Sequence, residues 1–562
     1  MTPDLRTAAP PEVATTVADR LLRHTAQPVA VRHTIDWAGP VDRDLPDERA
    51  VQAACGLMHV HGRATGGPAP LAVDYASVVA GVLAAQGATA AGIGRARGLD
   101  LDEVRTSVAQ GALLALGQYL AAATADEGLG PEPSEVTAAG LATLVTSDGA
   151  RVEIETLAPS AWREFWARLG VPATLAGRGW LPFQQRFATA VCPLPDALRR
   201  AARRRTSADL RAAAHHSGVS LLTIGRDPAP AVHPAPWRLT PAPAHPATAL
   251  PSPRPADATL PLTGLRVVES TRRVQGPLAG HVLRMLGAEV IRVEPPGGDP
   301  MRWLPPLAHG TSARFTALNA GKRVIEADLT TAQGRDTVRE LAAAADVFLH
   351  NWAPGKAGRL GLDSDDLRPG LVYAWASGFG DTLGERPPLG TDYLAQVHSG
   401  LAAAVRPDDE PPAPSLMTLT DVLGGLVCAQ GVLAALAARQ RTGCGSRVDS
   451  SLVSAAALIP RPARRVHWTP LDRPLATADG HLYLGPESRA RPEAVRDLFD
   501  GADAKSRTTK EWTRRLAEAG LTATPVHTDL AALAHDPAFR PAIAPPDPVT
   551  GHARPYAPWE FA

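Results

Sequence analysis

One shift along the chain lays Gln52–Gly87 on Gln396–Gly431 without a gap, and no other feature of the sequence restricts its folding as much. The shift matches Gly56 to Gly400, Leu57 to Leu401, Pro68-Ala69-Pro70 to Pro412-Ala413-Pro414, Gly81 to Gly425 and Ala85-Gln86-Gly87 to Ala429-Gln430-Gly431. Repetition of this kind calls for two copies of one structural unit. Fainter echoes at other shifts extend it: TSDGARVEIE (146–155) beside TADGHLYLGP (477–486), TSADLRAAAHHSGV (206–219) beside TTKEWTRRLAEAGL (508–521), and Ala235-Pro236-Trp237 beside Ala557-Pro558-Trp559. The copies are unequal, because the first has nothing opposite residues 262–370.

From Arg226 to Pro261 prolines recur every few residues. Proline fixes φ and lacks an amide donor, so this run is excluded from helices and central strands and reads as an extended linker that Trp237 can anchor. The organisation expected is therefore a truncated copy over 1–225, a linker over 226–261 and a complete copy over 262–562 with a shortened small domain. In the second copy, short β-branched runs alternate with helical stretches. GLRVVES (264–270), EVIRVE (289–294), KRVIEADL (322–329), DVFLHNW (346–352) and LVYAWASGF (371–379) read as strands, with GPLAGHVLRMLGA (276–288) and TAQGRDTVRELAAAA (331–345) as crossover helices. The pattern predicts an α/β fold: a Rossmann-like parallel sheet in the C-terminal copy, and a truncated α/β N-terminal copy of the same unit.

Lysine plus arginine equals aspartate plus glutamate at 57 each, so no overall field draws the chain to nucleic acid or anionic lipid. The four cysteines are far apart with no CxxC pair, which argues against a disulfide framework or a cysteine zinc site and for a reducing cytoplasm. The N-terminal stretch carries Asp4, Glu12 and Asp19 and does not read as a secretory signal. The most apolar run, VLGGLVCAQGVLAALAA (422–438), is shorter than the roughly 20 residues a membrane span needs, so no span is expected.

The block GLRVVESTRRVQGPLAGHVLRMLGAEVIRVEPPGGDPMRW (264–303) resembles the opening of the class III CoA-transferase family, the CaiB/BaiF type. NAGKRVIEADL, ADVFLHNWAPGKAGRLGL, YAWASGFGDT, PLGTDYLAQVHSGL and ARQRTGCGSRVDSSLVSAAAL resemble further family blocks, in family order, over about 262–460. The resemblance implies an acyl-CoA:carboxylate CoA-transferase. In that family an aspartate attacks an acyl-CoA and forms a mixed anhydride, then an aspartyl-CoA thioester that passes CoA to a second carboxylate. The matching residue is Asp421, and Gln275 resembles a glutamine beside the reacting thioester. Asp421 stands at the start of a long apolar helix, where free amides and the helix dipole would keep a carboxylate ionised and nucleophilic. By position alone it reads sooner as a helix N-cap.

The resemblance places CoA contacts at Val274, Gln275, Gly276, Ala327, Asp328, Leu329, Asn351, Trp352, Ala353, Arg359, Ala376, Ser377, Gly378 and Phe379. Gly276 reads also as a tight turn, and Arg359 also as a surface arginine. Coenzyme A and acyl-CoA enter as substrates, with no permanently bound cofactor and no metal; the partners are an acyl-CoA and a carboxylic acid acceptor, with no nucleic acid and no membrane. Positions where the family often carries basic residues are Pro295 and Thr330, which shifts phosphate binding towards Arg292, Lys322 or Arg323. About fifteen residues separate AAALIP from LATADG, too few for the glycine-rich lid of the family. Opposite Asp421 the first copy has Ser77, with Asp74 three residues earlier, so that copy is expected to be catalytically silent and to support the other as a homodimer-like or intramolecular pseudo-dimer partner. Two alternatives stand beside the transferase: an acyl-CoA racemase or isomerase of the same family, whose histidine would fall at Thr391, and a non-catalytic acyl-CoA-binding protein.

Overall fold

The structure is a computed structural model, and it describes residues 10–25, 31–125, 139–228, 234–242, 258–380, 383–384, 387–501 and 503–562. In the C-terminal copy, six parallel strands, β1 (Arg266–Ser270), β2 (Glu289–Glu294), β3 (Arg323–Glu326), β4 (Val347–His350), β5 (Val372–Ser377) and β6 (Ser446–Ser451), stand in the order β3-β2-β1-β4-β5-β6. This is the doubly wound Rossmann order, which reverses direction between β1 and β4. All residues of β4 and β5 are buried, as a parallel sheet covered on both faces requires. Every strand expected in 264–379 is present. Strand β6, which follows the long apolar helix, was not anticipated, because SRVDSS is too polar to read as a buried strand.

Four helices position the site: α1 (Tyr75–Ala96), α2 (Gln275–Met285), α3 (Asp392–His398) and α4 (Leu419–Thr442). Helices α1 and α4 are the repeated element, in the register of the sequence match, and they pack against each other at the centre of the molecule. Gln430 Nε2 donates to Thr89 Oγ1 at 3.0 Å, Gln86 Nε2 to the Leu426 carbonyl at 2.7 Å, and the Tyr75 hydroxyl to the Leu419 carbonyl at 3.0 Å. Helix α4 has 24 residues, longer than the apolar run suggested, and both helices are long and apolar enough to cross a membrane; here both are packed inside the core.

Among the described residues the first copy keeps two strands of the sheet, Arg32–Asp36 paired in parallel with Glu103–Ser107, the counterparts of β5 and β6. The edges of the two sheets are exchanged. Trp237–Pro241, from the end of the first copy, pairs antiparallel with β6 of the second, whereas Glu560–Phe561, from the end of the second, pairs antiparallel with Glu103–Ser107 of the first. The proline-rich run is therefore partly an edge strand rather than linker throughout, in the one sheet position that tolerates prolines nearby; residues 229–233 and 243–257 lie outside the described residues. Gly431 and Gly87 make room for the exchange. A Cβ on Gly431 would stand 3.2 Å from Trp237, and one on Gly87 2.7 Å from Trp559. Each tryptophan buries roughly 200 Å², about 5 kcal/mol as an upper bound, so the exchanged strands clamp the copies together.

Each copy ends in a three-stranded antiparallel sheet, Leu144–Val145, Arg151–Glu155 and Ser220–Thr223 in the first, Leu475–Ala476, His481–Leu484 and Ala523–Pro525 in the second. Both carry a helix opened by a capping box, Thr206 with Asp209 and Thr508 with Glu511. These small units also cross over: that of the first copy packs on α3 and that of the second on the first copy's Glu48–Ala54 helix.

Candidate active site

At the carboxyl ends of β1 and β4, where the strand order reverses, a cavity of about 590 Å³ opens between the two copies. Its walls include Arg272, Arg273 and Gln275 after β1, Asn351 to Pro354 and Lys356 after β4, Ala376 to Gly378 at the end of β5, Thr391 to Tyr393, and Asp421. The first copy closes the remaining side with Glu155 to Leu157, Gln184, Arg186 and Phe187. A smaller cavity of about 150 Å³ continues across the β1, β2 and β3 ends, lined by Thr271, Ala327 to Thr330 and Asp299, and shares Arg272, Trp352 and Lys356 with the first.

Asp421 is half-buried in the first turn of α4 and is not its N-cap; Thr418 holds that place. The helix amides do not serve Asp421 either. Asp392 takes them: its Oδ1 accepts from the Thr420 amide at 2.6 Å, the Thr420 hydroxyl at 2.7 Å and the Asp421 amide at 3.0 Å, while Oδ2 accepts from Gln396 Nε2 at 2.5 Å. Burial and the charge of Asp392 push the Asp421 carboxyl well above the ordinary range, and only the Arg273 guanidinium opposes them. The expectation that the helix terminus keeps Asp421 ionised is thus corrected, because its first-turn dipole is already neutralised by another carboxylate. Asp392 itself is raised by burial to about 6.

Gln275 begins α2, and its Nε2 donates to the Ser377 carbonyl at 3.1 Å. A Cβ on Gly425 would stand 2.5 Å from the Gln275 carbonyl oxygen, so this pair of helices can meet only through the glycine. Arg273, in the turn between β1 and α2, has φ +65, a left-handed conformation that costs a non-glycine residue roughly 1–3 kcal/mol and clusters at functional sites. Its guanidinium lies 5.5 Å from the ring centre of Phe187 in the first copy. Among the described residues, no ion pair engages Arg272, Arg273 or Lys356. Arg186, by contrast, is buried against Glu155 at 2.8 Å and lies 4.5 Å from the centre of the Tyr393 ring.

The first copy repeats the scaffold and lacks the carboxylate. Glu48 stands where Asp392 does, accepting from the Ala76 amide at 3.0 Å, the Ser77 amide at 2.8 Å and the Ser77 hydroxyl at 2.6 Å. Gln52 and Gln396 occupy equivalent places, each Oε1 accepting a backbone amide at 2.9 Å, from Leu71 and Ser415. Ser77 is buried with its hydroxyl spent on Glu48. Asp74 precedes a helix that starts in the same register as α4, and its side chain lies 4.0 Å from Arg49.

Of the residues expected at the site, Asp421, Gln275, Asn351, Trp352, Ala353, Ala376, Ser377 and Gly378 line the larger cavity, and Ala327, Asp328 and Leu329 the smaller. Val274, Gly276 and Phe379 are buried behind them; a Cβ on Gly276 would stand 2.6 Å from Thr271, so this glycine serves close packing. Arg359 is exposed and lines neither cavity; Lys356, one turn earlier, does. Asn351 spends both ends of its amide on the Arg272 backbone, tying the two strand-end loops together.

The alternative phosphate ligands fail. Arg292 is buried in ion pairs with Glu269, Glu294 and Asp299, Lys322 is buried on Glu269, and Arg323 faces Glu289 at 3.7 Å; neither cavity includes any of them. The cations at the cavities, Arg272, Arg273 and Lys356, were missed, although TRR directly after the first strand was the available signal. The cavity wall from the first copy was missed too, because contacts between remote segments leave no local pattern.

Fold and site define a doubled α/β protein of Rossmann strand order, with a half-buried aspartate in the cavity at the reversal point and one copy roofing the site of the other. The chain belongs to CoA-transferase family III, whose model matches residues 38–230 and again 262–464. It is 38% identical over 203 residues to succinyl-CoA:glutarate CoA-transferase of Mus musculus, covering 35% of this chain and 47% of that protein. It is 39% identical over 208 residues to a probable fatty acyl-CoA transferase of Mycobacterium tuberculosis, covering 35% and 51%. The chain thus spans about half the length of these curated relatives. A solved CaiB/BaiF family protein from Brucella suis aligns over 54% of this chain and 93% of its own at 29% identity, with a TM-score of 0.48.

Proposed function

We propose that the chain transfers coenzyme A from an acyl-CoA to a carboxylic acid, with Asp421 as the nucleophile. The observation that carries this reading is the asymmetry between the copies: the scaffold of Glu48 or Asp392 with Gln52 or Gln396 is kept in both, and a carboxylate facing an open cavity stands in only one. Family membership and the names of the relatives support it.

In the reaction, an Asp421 carboxylate oxygen attacks the thioester carbonyl, the carbon–sulfur bond breaks, and CoA thiolate leaves an anhydride between Asp421 and the acyl group. The thiolate attacks the Asp421 carbonyl of that anhydride and expels the donor as its carboxylate, leaving an aspartyl-CoA thioester. The incoming acid repeats the two steps in reverse and regenerates the Asp421 carboxylate. Gln275 and the amides after β5 lie where they would stabilise the developing oxyanion, and Arg272 and Lys356, at the junction of the two cavities, would hold CoA phosphates. Burial and the Asp392 charge raise the Asp421 pKa, and Arg273 favours its ionisation.

The racemase reading has a specific obstacle: Thr391 lines the cavity and does not titrate, and His398 lies against Phe379 outside it. The chain is read as its own dimer, with the crossed strands and small units doing what a second subunit would do, in a reducing compartment that suits its four free cysteines. The test is product analysis: wild type incubated with an acyl-CoA panel and a panel of acids should form new acyl-CoAs, and Asp421→Ala should form none. New acyl-CoA at wild-type rate from Asp421→Ala would overturn the reading.

A further inference from the structure

Against Val422 in the first turn of α4 lies a third cavity, of about 270 Å³, that the transfer chemistry does not use. It sits at the seam of the two copies. Leu114 and Gln118 come from the first, Leu278, Met285 and Val422 from α2 and α4, and Pro555 and Tyr556 from the C-terminal tail. Its wall is mostly apolar, with four cationic or imidazole groups: His281, Arg284, His552 and Arg554. Arg554 reaches Asp547 at 3.5 Å with its side chain 45% exposed. No ion pair engages Arg284 among the described residues, its buried Nε has no hydrogen-bond partner, and neither has the buried Nδ1 of His281.

Unmatched buried donors beside an apolar wall are costly unless something satisfies them. The excess charge here is positive, with no carboxylate among the residues lining the cavity. The volume falls below the roughly 300–1,000 Å³ of drug-sized sites, which selects a small ligand. We propose that this cavity binds a small amphipathic anion, a carboxylate with a short aliphatic tail, its head on Arg284, Arg554 and His281 and its tail on Leu278, Met285 and Val422. Val422 is the residue after Asp421, so the ligand rests against the turn that carries the aspartate. The site is separate from the transfer cavity and does not depend on the proposed activity.

The test is calorimetric titration of the full chain with hexanoate, with hexylamine and inorganic phosphate as probes of charge and tail. Wild type should bind hexanoate saturably and more tightly than either probe. Arg284→Gln and Arg554→Gln should each weaken it roughly tenfold or more, and Arg273→Ala, in the front cavity, should leave it unchanged. Arg554 is half-exposed, so its variant folds and keeps the test decisive if Arg284→Gln does not. Absence of saturable binding, binding unchanged in both arginine variants, loss only in Arg273→Ala, or phosphate binding tighter than hexanoate would each overturn the proposal.

Discussion

Replacing Asp392 by alanine tests whether the two copies are held by the same device. The carboxylate accepts from the Thr420 amide, the Thr420 hydroxyl, the Asp421 amide and Gln396 Nε2, so its loss removes four hydrogen bonds. At about 1 kcal/mol for each unmade bond the cost is roughly 4 kcal/mol. For a chain of 562 residues unfolding cooperatively, that is a fall in Tm of about 3 °C. Glu48→Ala removes a matching set in the first copy, the bonds from the Ala76 and Ser77 amides, the Ser77 hydroxyl and Gln52 Nε2, and should cost the same. The two variants diverge in the pH dependence of transfer. Only Asp392→Ala removes a negative charge beside Asp421, so only it should move the acid limb of kcat/KM to lower pH. Scanning calorimetry and rate–pH profiles of both variants decide the matter; equal pH profiles, or a stability loss confined to one variant, would refute the shared-scaffold argument.

In wild type, the acid limb of kcat/KM should lie above the ordinary aspartate range, because the Asp392–Asp421 pair titrates together with raised values, and activity should fall as pH drops through that window. Arg273→Ala should shift the limb further upward, since it removes the one cation that favours the ionised form. Arg292→Met leaves Asp299 buried without its cation, and Glu269 and Glu294 with Lys322 and Arg302 alone, and should cost about 3–5 kcal/mol in urea unfolding. Gly431→Val should press its side chain into Trp237 and release the exchanged strand, read as proteolytic cleavage near 237–241 that wild type resists. If the two copies serve as each other's partner, light scattering should give one chain, 58.8 kDa.

Much of this architecture is legible in the sequence. The gapless repeat places α1 and α4 in register, the β-branched runs give the strands from β1 to β5, and the family blocks lead to Asp421 and to part of the cavity lining. The rest depends on long-range placement. Nothing near Arg292 distinguishes a phosphate ligand from a buried ion-pair hub; only the folding of Glu269, Glu294 and Asp299 around it does. Asp392 reads as one more helix-start acid until α4 brings its amides to it. Ala235-Pro236-Trp237 and Ala557-Pro558-Trp559 were visible as an echo, yet their exchange between sheets required the pairing itself. Gln184, Arg186 and Phe187 lie in a helix of the first copy that has no match in the second, so the repeat could not assign them to the site.

The most direct test of the central claim is intact-protein mass spectrometry of wild type and Asp421→Ala after incubation with acyl-CoAs, with hydroxylamine trapping. A CoA-mass adduct on wild type alone, lost to hydroxylamine with conversion of Asp421 to its hydroxamate, is the predicted result. An adduct on both proteins, or CoA binding by both with no adduct on either, would contradict it.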